Sequence, residues 1–156
     1  MRSGGMVLFA PLMRIALDEA RAARDRGETP VGAVIADPAT GAVLARAGNR
    51  TRELSDPTAH AEMLAMRATC AARGSERLTG LDLYVTLEPC AMCAAAIAAA
   101  RIGRLYYGAS DPKSGGVEQG ARVFSHPQTH HRPEVFGGIA ETEAAELLRM
   151  FFAARR

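Results

Sequence analysis

Two cysteines and a histidine in this chain are spaced as metal ligands are. Cys90 and Cys93 stand at i, i+3, which on one helical turn points both side chains the same way. That separation is usual for a pair of zinc thiolates. His60 offers a borderline-soft nitrogen as a third ligand. Three protein ligands leave the fourth tetrahedral position for water, the arrangement of a catalytic zinc and not of a closed structural one. Glu62 lies two residues beyond His60 and is the acid/base that such a water needs. One zinc ion per chain and one proton-transfer carboxylate is the chemistry these residue types imply.

The flanking residues place both ligand sets at helix starts. Asp56-Pro57-Thr58 precedes His60 and Pro89 precedes Cys90; cap-type residues and proline suit the first helical turn. Two thiolates and a bound hydroxide make the site net negative, and helix N-termini favour negative charge and lower thiol pKa values. On a long helix Glu62 faces away from His60, but at the first turn both side chains still reach a site beyond the helix tip.

Taken singly, these motifs say little. A lone Cys-x-x-Cys also fits a redox pair, a lone His-x-Glu is uninformative, and a first-turn Glu is favoured by the helix dipole alone. Together, His60-x-Glu62 and Pro89-Cys90-x-x-Cys93 match the pattern known for zinc deaminases, H-x-E…P-C-x-x-C.

A chain of 156 residues suits a single domain with its own core, here residues 1–156 with a flexible lead over 1–9. Hydrophobic content of 48% and charged content of 23% are those of a soluble globular protein. No apolar run approaches the ~20 residues of a membrane span. The N-terminus shows no convincing export signal, so the cytoplasm is expected, where thiols stay reduced. Cys70, the third cysteine, falls in a helical pattern and is expected as a small buried hydrophobe. The net charge of +2, from eighteen Arg and the single Lys113 among the basic residues, is weak evidence for nucleic acid. Any basic patch has to be local.

Apolar periodicity predicts a helix over about Pro11 to Arg26 and a hairpin of strands at 31–36 and 42–48 around the turn Asp37-Pro-Ala-Thr-Gly41. A loop follows, then a helix from about Ala59 to Arg73, a strand at 81–87, the cysteine helix from about Cys90 to Ala100, and a strand at 104–108. Residues 109–133 are irregular, with a short helix near 117–123. A short strand at 134–139 and a closing helix from Glu141 to Arg156 complete the chain, with Arg155 and Arg156 matching the helix dipole. Strands separated by helices after an antiparallel hairpin predict a three-layer α/β/α sandwich with a mixed sheet of about five strands. Its ligand site belongs at strand ends beside helix N-termini.

Several stretches carry a resemblance over nearly the whole chain: Thr29-Pro-Val-Gly-Ala-Val34, Gly48-Asn-Arg50, Asp56-Pro-Thr-Ala-His-Ala-Glu62, Leu83-Tyr-Val-Thr-Leu-Glu-Pro-Cys-Ala-Met-Cys93, Tyr107-Gly-Ala109 with Asp111 and Lys113, and Phe151-Phe152 near the end. They resemble the bacterial tRNA-specific adenosine deaminases of the cytidine deaminase-like superfamily. The zinc motif alone carries only the superfamily; the Asp111 segment and the Phe-Phe-x-x-Arg-Arg ending carry the tRNA branch. Ala95 departs from the pattern, where Gly is frequent. The resemblance implies that His60, Cys90 and Cys93 bind zinc, that Glu62 shuttles protons, and that Asn49 hydrogen-bonds a flipped base. It also implies that Asp111 and Lys113 lie near the RNA backbone, and that Phe151 and Phe152 sit on a helix packed by the bound nucleotide. At adjacent positions, however, the two rings cannot share one face. His126, His130 and His131 suit either RNA contact or a plain surface loop.

The reading that results is hydrolytic deamination of adenosine to inosine at the wobble position of a tRNA anticodon loop, by a homodimer. The small residues of Ala94 to Ala100 permit close approach of a second helix. A deaminase of a free base such as guanine or cytosine uses the same zinc chemistry and remains an alternative. A non-catalytic zinc or RNA-binding module is disfavoured by Glu62 and by the absence of a fourth ligand.

Overall fold

Side chains alternate across a strand, and here the alternation divides the core between two helical layers. The computed structural model describes residues 2–155, with side chains from Pro11 onward. The elements are α1 (Arg2–Asp25), β1 (Gly32–Asp37), β2 (Ala42–Gly48), α2 (Ala61–Arg73), β3 (Asp82–Leu87), α3 (Ala91–Ala100), β4 (Arg104–Ala109), a 3-10 turn (Val123–Ser125), β5 (Glu134–Phe136) and α4 (Glu141–Ala153). The sheet order is β2-β1-β3-β4-β5. β1 pairs antiparallel with β2 and β3, and β3–β4 and β4–β5 pair parallel. Ala33, Ile35, Leu83, Val85, Leu105 and Tyr107 pack with α2 and α3 on one face. Val34, Ala36, Tyr84 and Tyr106 pack with α1 and α4 on the other. The expected three-layer sandwich with a mixed five-stranded sheet is the fold observed.

β1 and β3 are covered on both faces and read as nearly unbroken apolar runs for that reason. α1 lies close over β1 because its facing residues are small: Ala16, Ala20 and Ala23 are fully buried. At Gly32 the approach is closest. A Cβ there would stand 1.9 Å from the Ala16 carbonyl oxygen and 2.6 Å from the Ala20 nitrogen.

Five local expectations are corrected. No helix forms at 117–123; a 3-10 turn forms instead at Val123–Ser125, and the chain before it passes through left-handed backbone at Gly120 (φ 52°) and Arg122 (φ 45°), which a right-handed helix does not allow. β5 stops at Phe136, where Gly137 presses on the Tyr107 ring and Gly138 turns the chain with φ 82°. α4 ends at Ala153 without a basic residue in its last turn. Arg155 lies past the helix, over the Phe151 ring at 3.6 Å, and Arg156 is outside the described residues. Cys70 is not fully buried; it sits partly covered at the rim of the α2–α3 side of the core. Of the expected flexible lead, 1–9, Met1 is outside the described residues, and the backbone of 2–9 is the first part of α1, which starts at Arg2 and not at the expected Pro11. Among the described residues, no helix is long and apolar enough to cross a membrane.

The Gly32 contact generates a stability prediction. Gly32→Ala drives a methyl into the α1 backbone, and the expected loss is about 3 kcal/mol, the upper end of ordinary overpacking. It is read as a lower urea midpoint at unchanged slope. An unchanged midpoint would show that α1 lifts away without cost.

Candidate active site

Both ligand segments place a side chain at the tip of a helix. His60 is the N-cap of α2, with extended φ −75° and ψ 154°, and Cys90 is the N-cap of α3, with φ −72° and ψ 175°. Neither uses its side chain to cap its own helix, so the ring and the thiol are free to meet. His60 Nδ1 lies 3.7 Å from Cys90 Sγ and 3.4 Å from Cys93 Sγ. The three donor atoms lie within 4.8 Å of one another. A tetrahedral zinc with ordinary Zn–S and Zn–N bonds spaces its nitrogen and sulfur ligands by about 3.6 Å. The N, S, S donor set and its spacing therefore fit a zinc ion with one position left over.

The helix that His60 leaves uncapped is capped by the strand beside it. Asn49, just past β2, accepts the Ala61 N–H at 2.8 Å through Oδ1. Its own N–H goes to the Val31 carbonyl, so the end of β2 is tied at once to β1 and to the start of α2. The amide oxygen is thereby committed, and the NH2 of this buried side chain is the group left to the pocket. Glu62, the second residue of α2, is only 3% exposed.

The electrostatics follow from burial and closeness. Burial pushes the Glu62 carboxyl above its usual range, against the pull of its own backbone N–H and of His60. The hydrogen bond to Cys90 raises His60. The Cys93 thiol donating to it holds Cys90 down to about 4, with His60 adding to the effect. Cys93 is pushed up by its hydrogen bond to Cys90 and by burial.

These groups share a pocket of ≈ 190 Å³ with Thr29 and Val31 before β1, Leu87 and Glu88 at the end of β3, and Asp111 and Ser114 beyond β4. The volume is below the ~300 Å³ at which pockets for drug-sized ligands begin, and suits one base more than a whole nucleotide. The pocket lies at strand ends and helix starts, as expected.

The expected site residues separate into two groups. His60, Glu62, Cys90, Asn49 and Asp111 line the pocket, with Cys93 behind them in the ligand cluster. Asp111 also shapes its loop: Oδ1 accepts the N–H groups of Lys113 at 3.2 Å and Ser114 at 3.0 Å. Lys113 is exposed and does not line the pocket. Neither Phe151 nor Phe152 reaches it. Successive helix positions point about 100° apart, so Phe151 is buried and Phe152 is 49% exposed. Of the histidines, His131 Nε2 bonds the Ile102 carbonyl oxygen at 2.7 Å, a structural anchor. His126 and His130 stay exposed.

Sequence reasoning missed the two carboxylates that hold the loops around this pocket. Glu28 and Glu88 are each 2% exposed. Glu28 accepts the N–H groups of Arg52 and Glu53. Glu88 accepts those of Asp111, Val117, Glu118 and Gln119. Burial raises the Glu88 carboxyl, but these backbone donors outweigh it and leave it below the usual range. The available signal was a lone acid at the end of an apolar strand run, directly before Pro89-Cys90.

Comparison with known proteins agrees with this geometry. Residues 10–109 match the family described as the cytidine and deoxycytidylate deaminase zinc-binding region. The tRNA-specific adenosine deaminase of Agrobacterium fabrum is 61% identical over 144 residues, covering 92% of this chain and 93% of that protein. A solved chain from work on A-to-I editing by tRNA:A34 deaminases at the wobble position of transfer RNA superposes with a TM-score of 0.85 at 62% identity, covering 88% of this chain and 98% of that one. Guanine deaminase from Nitrosomonas europaea shares the fold, with a TM-score of 0.79 at 22% identity, covering 91% of this chain and 83% of that one. Given its identity to the Agrobacterium enzyme across almost the full length of both, this chain belongs to the family of tRNA-specific adenosine deaminases.

Proposed function

We propose that this chain is a zinc-dependent hydrolase converting adenosine to inosine at the wobble position of a tRNA anticodon loop. The observation that carries the reading is the buried Glu62 beside a His60, Cys90, Cys93 cluster, in a chain 61% identical to a tRNA-specific adenosine deaminase. Bound in that cluster, one Zn2+ supplies Lewis acidity and brings the pKa of water down to about 7. Glu62 takes a proton from the attacking water and passes it to N1 of the adenine, then takes the second proton from the oxygen now on C6 and gives it to the departing amine. The water oxygen bonds to C6, the bond from C6 to the exocyclic nitrogen breaks, and inosine and ammonia leave. A carboxyl held above its usual range by burial is suited to both taking and returning the proton.

Asn49 offers its NH2 to an acceptor on the base edge, because its oxygen is occupied by Ala61. Asp111 and Ser114 form the wall on the sugar-phosphate side, with Lys113 exposed next to them for a phosphate. Phe152 extends the RNA surface as an exposed ring on which a base stacks, and Phe151 with Arg155 supports the end of α4. The reducing cytoplasm, where tRNA is found, keeps Cys90 and Cys93 available as ligands. A homodimer completes the RNA surface: α3 leaves Ala91, Ala95 and Ala99 exposed in one line, a face low enough for a second copy to approach closely.

The ligand and proton-transfer roles separate by mutation. Cys90→Ser and Cys93→Ser lose zinc, and with it stability, since binding energy is folding energy. Glu62→Ala keeps one zinc per chain and loses turnover by about 10²–10⁴-fold. Metal content by atomic absorption with single-turnover rates checks both; full zinc in both cysteine variants, or a near-normal rate for Glu62→Ala, contradicts the assignments. Light scattering at micromolar concentration is expected to give twice the 16.5 kDa chain mass, and a fully active monomer contradicts the dimer. For the substrate, an anticodon stem-loop with a wobble adenosine is compared with free guanine, cytosine and adenosine. Inosine is expected in the stem-loop only, with binding that weakens steeply as salt rises. Turnover of a free base with none on the stem-loop overturns the tRNA reading in favour of a small-base deaminase.

A further inference from the structure

Glu88 is buried at the C-terminal end of the central strand β3, and the proton-transfer chemistry makes no use of it. Its two oxygens divide their work. Oε1 accepts the Asp111 N–H at 3.0 Å and the Ser110 hydroxyl at 3.3 Å. Oε2 accepts the N–H groups of Val117 at 3.1 Å, Glu118 at 2.8 Å and Gln119 at 2.9 Å. One carboxylate thus gathers both ends of the segment 110–119, whose near end carries Asp111 and Ser114 into the pocket wall.

The middle of the same segment lies on the zinc helix. Gly115 bridges Cys90, and the Gly116 N–H donates to the Pro89 carbonyl at 2.8 Å. A Cβ on Gly116 would come within 2.5 Å of the Ala91 nitrogen and 2.8 Å of the Cys90 carbonyl carbon. A Cβ on Gly115 would meet the Glu88 carboxyl carbon at 2.7 Å. Glycine at both places is a requirement of close approach. The loop is therefore fastened to the residues around Cys90 at its two ends and at its centre.

We propose that Glu88 is a positioning residue for the deamination: its carboxylate fixes the 110–119 loop against the start of α3, so that the RNA-facing wall and the zinc ligands keep one spacing. This rests on the tRNA reading above only for the identity of the substrate. The geometry makes a graded statement. A glutamine at this position keeps one oxygen for the three donors of 117–119 but turns an NH2 toward the Asp111 N–H, which loses its acceptor. An alanine releases both ends.

The test uses the full zinc-loaded chain with Glu88→Gln, and Glu88→Ala alongside. For Glu88→Gln we expect zinc content to stay at the wild-type level and Asp111 amide exchange to accelerate while Val117, Glu118 and Gln119 stay protected. KM for the wobble-adenosine stem-loop is expected to rise about tenfold with kcat changed by less than about threefold. Glu88→Ala, where it folds, exposes all four amides and raises KM further. A purely structural role lowers the active fraction instead, giving reduced kcat at unchanged KM. That outcome, or wild-type kinetics in Glu88→Gln, or loss of zinc from it, overturns the proposal. The wild-type control keeps the two readings apart. If wild type turns over a free base and not the stem-loop, the tRNA reading falls, and an unchanged KM for that base in Glu88→Gln overturns the positioning role independently.

Discussion

His60 and Cys90 are 30 residues apart in the chain and 3.7 Å apart in space. Much of the fold answers that demand. From His60 the chain runs away from the site along α2, turns back at Gly74, and returns through β3 in the middle of the sheet. Antiparallel pairing with β1 and parallel pairing with β4 fix where β3 ends, and hence where Cys90 stands. Because both ligands occupy N-cap positions, the partial positive ends of two helices converge where thiolate and oxyanion charge must be borne. The cap that His60 cannot supply comes from Asn49 across the gap, so a pocket-lining residue beyond the end of β2 is also the one that finishes the ligand helix.

The same economy governs the polar groups of the loops. A chain segment that leaves regular structure beside a core must still satisfy its N–H groups. Around this pocket they are gathered by Glu28 on one side and Glu88 on the other. Among the described residues, no buried side-chain nitrogen or oxygen lacks a partner. Two buried acids that look costly in isolation are each solvated by the backbone they organise.

Features set by local pattern were legible in the sequence. The ligands are readable because i, i+3 spacing and preceding prolines are local facts about Cys90 and Cys93. The sheet is readable because β1 and β3 are nearly unbroken apolar runs bounded by turn signals. What escaped depends on distant partners. Residues 117–123 look like part of a helix, but Gly120 and Arg122 take left-handed backbone, and the N–H groups of 117–119 turn to Glu88, about 30 residues away. That Phe151 and Phe152 point different ways follows from their adjacency, but which of them is buried is decided by the packing of α4 on α1, β3 and β4. Arg155 reads as a dipole-matched helix end, but the helix finishes two residues earlier and the guanidinium rests on an aromatic face.

A loop fastened through its amide hydrogens is fastened by the part of the chain that every residue but proline shares. Nothing in the Glu88 attachment reads the side chains of Val117, Glu118 or Gln119, and Lys113 and Ser114 are placed by a turn that uses only their N–H groups. The side chains displayed at 113 and 114 are then free to vary while the wall that bears them stays where it is. A deaminase built this way can change its clientele by repainting a surface, with the glycines at 115 and 116 and the acid at 88 as the frame that is left alone.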